Sequence, residues 1–185
     1  MRVVGIAGSP RREGNSTTLL ETALEVAREQ GHTTKSFVAR RMKVQPCIAC
    51  EGCKRGPKCV VDDDMHDIYA AMARADTLVV ATPIYYYAAS GWLKAVVDRT
   101  YGLLDRESRP RIAPGKKLYV ITAQEESDRA DGAVVVRQLE RAFAWLGMEP
   151  AGSIIATGLD EAGAVLERPD LLQAARELIT NGPSG

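Results

Sequence analysis

The chain has 185 residues and a mass of 20.0 kDa, enough for one domain with a full hydrophobic core. Its 24 basic and 24 acidic side chains cancel to a formal charge of zero, which argues against general attraction to nucleic acid or to an anionic membrane. No run approaches the ~20 apolar residues of a membrane span, and the opening run Val3 to Ala7 is too brief for a signal peptide, so a soluble, cytoplasmic protein is expected.

Strands and helices alternate along the chain. Val3, Val4, Ile6 and Ala7 form a β-rich run that stops at Gly8. Leu19, Leu20, Ala23, Leu24 and Ala27 then repeat at helical spacing up to a stop at Gly31. Further strands are expected at Lys35 to Ala39, Thr77 to Thr82, Leu118 to Thr122 and Gly152 to Thr157. Helices are expected near Met65 to Arg74, Gly91 to Leu104, Ala133 to Leu146 and Asp170 to Thr180, with Gly147 as the C-terminal cap of the third. Strands poor in charge, each followed by an amphipathic helix, predict a parallel sheet covered on both faces within a single domain. Two stretches fall outside this pattern: a cysteine-rich insertion at about 40–64 and a polar segment from Asp105 to Gly115. The tail Asn181 to Gly185 reads as disordered.

Three loops carry the chemistry. Gly8 to Thr18 is dense in hydroxyls and amides at the start of a helix, where unpaired N–H groups and the positive end of the dipole favour an anion. It lacks both GxxxxGK[ST] and GxGxxG, so a single terminal phosphate suits it better than a triphosphate or a dinucleotide. Simple capping by Asn15 or Ser16 is the plainer alternative. The second loop, Pro83 to Gly91, holds Tyr85, Tyr86 and Tyr87, three of the six tyrosines, where a flat aromatic ligand can rest or a neighbouring chain can dock. The third contains all four cysteines, Cys47, Cys50, Cys53 and Cys59, at spacings of x2, x2 and x5. That spacing suits one iron-sulfur core held by one loop, while a zinc site or redox-active thiols remain open.

Smaller signals read more plainly. Asp62, Asp63 and Asp64 precede a helix and suit capping and dipole compensation. His32 and His66 have no partner at ligand spacing. Trp92, Val96 and Val97 are expected to pack their helix on the sheet, and Asp98 with Arg99 to form an exposed pair.

The segment from Ser9 to Thr17, the Pro83 to Tyr87 loop, and the cysteine motif with Val60 to Met65 after it resemble the iron-sulfur flavoproteins of the NADPH-dependent FMN reductase group. The resemblance covers most of Met1 to Thr100. It implies a flavodoxin-like three-layer α/β/α sandwich with a five-stranded parallel sheet in the order 2-1-3-4-5. It implies FMN, its phosphate on Ser9, Arg11, Asn15, Ser16 and Thr17 and its ring against Pro83, Ile84, Tyr85 and Tyr86. It further implies a four-iron four-sulfur cluster on Cys47, Cys50, Cys53 and Cys59, a homodimer or homotetramer, NAD(P)H as possible donor and a small-molecule or ferredoxin-like redox partner. After the fourth strand, Gln124 to Asp128 resembles the cluster-lacking FMN reductases, with Gln124 beside the flavin. Three functions follow as expectations: an electron carrier that couples flavin to cluster, a cluster-free NAD(P)H-dependent FMN or quinone reductase, and a non-catalytic metal or redox sensor.

Overall fold

The computed structural model describes residues 1–180; the expected disordered tail, Asn181 to Gly185, lies outside the described residues. Five strands form the main sheet: β1 (Arg2–Ala7), β2 (Thr33–Val38), β3 (Thr77–Tyr85), β5 (Lys117–Ala123) and β6 (Glu149–Ala156). All run parallel in the order β2-β1-β3-β5-β6. A two-residue strand, β4 (Ala88–Ala89), pairs antiparallel with the end of β3. With that short strand set aside, the order is the flavodoxin-like one expected from the resemblance.

The helices are α1 (Asn15–Glu29), α2 (Gly52–Arg55), α3 (Met65–Arg74), α4 (Gly91–Arg99), α5 (Ala130–Ala144) and α6 (Pro169–Glu177). Alternate residues of each strand face opposite sides, so the sheet divides the core in two. Val4, Ile6, Leu78, Val80, Leu118 and Val120 face one side, where Met65, Ile68, Leu93, Val96, Leu139 and Phe143 of α3, α4 and α5 close over them. Val3, Ala7, Val79, Ala81, Tyr119 and Ile121 face the other, against Leu19, Leu20 and Leu24 of α1 and Ala175 of α6. The close seat of α1 requires Gly5, where a Cβ would lie 2.7 Å from Leu24 Cδ1. None of the described helices is long and apolar enough to cross a membrane.

Several elements differ from expectation. β3 runs on to Tyr85 because Ile84 and Tyr85 pair with Ala89 and Ala88 in a hairpin. The expected helix from Gly91 to Leu104 divides at Thr100, and a 3-10 turn carries the chain to Leu103. Gly102 lies under the Tyr69 ring there, where a Cβ would approach Tyr69 Oη to 2.7 Å. Trp92 does not pack its helix on the sheet; it is 43% exposed. Arg99 is not half of an exposed pair either. It is buried to 2% exposure, whereas Asp98 turns outward to Lys94, 2.6 Å away.

The chain leaves β1 toward β2 on one side, and β3 lies on the other. Loops leaving the carboxyl ends of β1 and β3 therefore part at this point and open a crevice. The loop after β5 reaches the same edge.

Candidate functional site

Helix α1 begins at the crevice with an unfilled end. Its N-cap is Gly14, in extended conformation, which supplies no side-chain hydrogen bond, and no acidic residue lies in the first turn. The first N–H groups of a helix have no partner within it. Ser16 Oγ and Thr17 Oγ1 are buried beside them, and neither has a hydrogen-bond partner among the described residues. Buried hydroxyls without partners are uncommon because each bears its desolvation cost uncompensated. A Cβ at Gly14 would collide with Ser9 Oγ, so backbone and hydroxyl approach here as only glycine permits.

The loop is braced from behind. Ser9 Oγ accepts from Arg11 N at 3.2 Å, and Ser90 Oγ donates to the Gly8 carbonyl while accepting from Leu93 N at 3.2 Å as the N-cap of α4. The Asn15 side chain is engaged by the loop after β6. Its amide donates to the Glu161 carbonyl at 2.8 Å and its oxygen accepts from Val165 N at 3.1 Å, fixing the loop after β6 against α1. The Arg11 guanidinium donates to the Asp160 carbonyl in that same loop.

A cleft of about 120 Å³ runs from Ser9, Arg11 and Ser16 to Pro83, Ile84, Tyr85 and Gln124, with Leu159 and Asp160 on its wall. Nine of the ten expected flavin contacts border this cleft or the concavity next to it, where Ile84, Tyr86, Tyr87 and Gln124 meet Glu125, Glu126 and Asp131. Thr17 is the exception, sitting one position deeper on α1. Gln124 Nε2 donates to the Asp128 and Glu126 carbonyls, leaving its buried Oε1 without a partner among the described residues. Tyr86 and Tyr87 form the turn of the β3–β4 hairpin, at φ of +48° and +62°, and Tyr86 is 98% exposed.

On the other side of α4, Cys47, Cys50, Cys53 and Cys59 line one concavity of about 580 Å³ together with Val97, Tyr101, Leu104 and Trp145. All four are free thiols. Among the described residues no three His, Cys, Asp or Glu side chains converge as ligands of one metal ion. The thiols instead sit around a largely apolar space. Burial pushes the Cys53 thiol above its ordinary pKa, partly opposed by the neighbouring Lys54 ammonium. Behind Cys59, Arg99 grips Asp63 through 2.7 and 3.0 Å contacts, and the Tyr69 hydroxyl donates to the Arg99 carbonyl. Burial and the nearby Cys59 hold the Tyr69 phenol above its ordinary pKa.

The profile of the NADPH-dependent FMN reductase family matches residues 1–161, which hold the whole of this crevice and the cysteine loop. The chain belongs to the NADPH-dependent FMN reductase family. Within it, an iron-sulfur flavoprotein from Methanosarcina thermophila is 42% identical over 100 residues, covering 54% of this chain and 52% of that protein. The chain spans about half the length of the first iron-sulfur flavoproteins it matches. A Bacillus subtilis protein named as a candidate NAD(P)H-dependent, FMN-containing oxidoreductase is 28% identical over 182 residues, with 97% of each chain covered. The solved structure of the Trp repressor binding protein from Bacillus subtilis superposes with a TM-score of 0.69 at 26% identity, covering 95% of this chain and 99% of that one.

For this member of the FMN reductase family, sequence reasoning missed the Leu159–Asp160 wall and the brace from Ser90. The polar run after β6 gives no motif, and only the fold carries it to α1. The Asp62 to Asp64 triplet also does more than cap: Asp63 Oδ1 does accept from Met65 N at 3.1 Å, but its main partner is Arg99.

Proposed function

We propose that this chain is an FMN-dependent oxidoreductase that takes electrons from a reduced nicotinamide and passes them through a four-iron four-sulfur cluster to a small-molecule or ferredoxin-like acceptor. The observation that carries the flavin is the pair of buried hydroxyls on Ser16 and Thr17, without a partner among the described residues, beside the open N-terminus of α1. They are donors awaiting an acceptor, and a phosphomonoester supplies several. Ser9 and the Arg11 loop shape the rim, Asn15 contributes its main-chain N–H, and Pro83, Ile84, Tyr85 and Tyr86 offer a flat apolar wall to the ring, with Gln124 at its polar edge.

When bound, flavin supplies two-electron hydride acceptance from nicotinamide, and a cluster supplies one-electron exchange; the protein positions both and tunes them. No side chain needs to act as a general base in hydride transfer. The cluster part rests on the donor set, four free thiols around one apolar concavity, which suits a polynuclear core whose irons are spread in space. A homodimer or homotetramer belongs to the same proposal.

A cluster-free reductase of free flavins or quinones is the second reading, favoured by the Bacillus subtilis relative, which matches over 97% of its length and is named for FMN alone. Iron, acid-labile sulfide and FMN measured on anaerobically purified protein separate these. About four irons and four sulfides per chain with stoichiometric FMN are expected. Stoichiometric FMN without iron, even after reconstitution, would leave the reductase; zinc without flavin would leave a sensor.

A further inference from the structure

From Met42 to Asp64 the chain has one short helix, α2, and few backbone hydrogen bonds of its own: Lys54 N to Glu51 O, Gly56 N to Gly52 O and Asp64 N to Lys43 O. A loop of this length is ordinarily mobile unless its backbone groups find partners elsewhere. Here arginines supply them. Arg99, at the end of α4, donates to the Gln45 carbonyl at 2.9 Å and the Val61 carbonyl at 3.4 Å, on the two shoulders of the cysteine loop. It also holds Asp63, whose other oxygen contacts reach Gln45 N at 2.9 Å and Met65 N at 3.1 Å, so one guanidinium closes the loop's base.

Arg111 grips the middle. It comes from the polar segment between Asp105 and Gly115, which the proposed chemistry does not otherwise use. Its Nη2 donates to the Cys53 carbonyl at 2.8 Å and the Gly56 carbonyl at 3.1 Å, across α2. The segment is anchored in turn by Arg111 N on the Leu103 carbonyl at 2.8 Å. Lys54 returns the contact, with Nζ 2.9 Å from the Leu104 carbonyl and 3.7 Å over the Tyr101 ring. A planar guanidinium can serve two carbonyls in a fixed geometry, which a lysine ammonium does less rigidly.

We infer that Arg99 and Arg111 are positioning residues that hold the cysteine loop folded, with its four thiols lining one concavity, before any metal is bound. The role in cluster loading rests on the two-cofactor reading; the frame itself is a property of the metal-free chain. It makes the segment around Arg111 a latch on α2, and it places the Arg111 cation at the Cys53 carbonyl, where its charge would raise the potential of a thiolate-ligated cluster.

The test uses the whole 185-residue chain carrying FMN but stripped of iron. Arg111→Gln is the main variant because the Arg111 side chain lies at the surface and its loss spares the core. Hydrogen exchange over residues 45–61 and alkylation of the buried Cys53 are expected to accelerate about tenfold, the effect of losing a pair of hydrogen bonds, while FMN content and the thermal midpoint stay at parent values. Arg111→Lys should recover part of the protection. After reconstitution with iron and sulfide, Arg111→Gln should load more slowly and show a lower cluster potential. Unchanged local exchange would overturn the inference, as would acceleration spread equally over the sheet. A parent that takes up no cluster, yet whose loop loosens in Arg111→Gln, would uphold the frame and sink the cluster reading alone.

Discussion

Ser16 is the residue on which the flavin assignment can be tested most directly. Its hydroxyl is buried without a partner among the described residues, so in the ligand-free protein it costs stability, and with a phosphate present it gains a charge-assisted bond. The two states therefore predict opposite signs for one substitution. Ser16→Ala should stabilise the ligand-free protein by about 1 kcal/mol, seen as a rise in its urea midpoint, and weaken FMN about tenfold in a fluorescence titration. Equal FMN affinity in the two proteins would remove the hydroxyl from the phosphate site. Asn15 is expected to behave differently, because its side chain binds the loop at Glu161 and Val165. The sequence named both residues as phosphate contacts and could not separate their surroundings, a cleft-lining hydroxyl and an amide bound to a distant loop; an Asn at a helix start looks the same in either setting.

At the scale of elements, the parallel strands and their helices were legible because burial writes itself into pattern: apolar on both faces in β1, β3 and β5, one stripe in α1 and α5. What pattern could not carry was the β3–β4 hairpin. A two-residue turn of this kind needs positive φ at both central positions and usually takes Asn-Gly; here Tyr86 and Tyr87 stand there at +48° and +62°. Bulky residues in that region cost on the order of 1–3 kcal/mol each and persist where function holds them. Replacing the pair by Asn-Gly, through Tyr86→Asn with Tyr87→Gly, is expected to raise the thermal midpoint of the ligand-free protein by about 2–4 °C, equivalent to about 1 kcal/mol. On the proposed flavin reading FMN should bind about tenfold more weakly, a loss of about 1.4 kcal/mol, because the Tyr86 ring no longer lines the concavity beside the cleft. A dissociation constant that does not move would show that the strained tyrosines serve another contact.

At the scale of the whole molecule, the Arg99–Asp63 pair joins parts of the chain 36 residues apart, the end of α4 and the far shoulder of the cysteine loop. Neither partner announces this in sequence: Arg99 follows Asp98, and Asp63 stands in an acidic triplet that suits a helix start. Only the folding of the insertion back across α4 buries them, to side-chain exposures of 1% and 3%. Burial by itself would raise the Asp63 carboxyl, but donors from Arg99, Gln45 and Met65 outweigh it and hold its pKa below the usual carboxylate range. Burial likewise disfavours the Arg99 charge, and Asp63 more than restores it, so Arg99 stays ionised throughout. The sign of the linkage follows from the depressed carboxyl. Its stabilisation is fully present above the unfolded value of about 3.9 and is lost as pH falls through the lower, folded value. Asp63→Asn leaves the buried guanidinium without its counter-charge and is expected to cost about 3–5 kcal/mol at pH 7. A protonated aspartic acid resembles asparagine in charge, so the gap between parent and variant should stay constant from pH 7 to about 5 and narrow below about pH 4. Urea unfolding at pH 7, 5, 4 and 3 measures that gap directly. If it keeps its full size at the lowest pH, the ionised carboxylate is not what closes the cysteine loop onto α4.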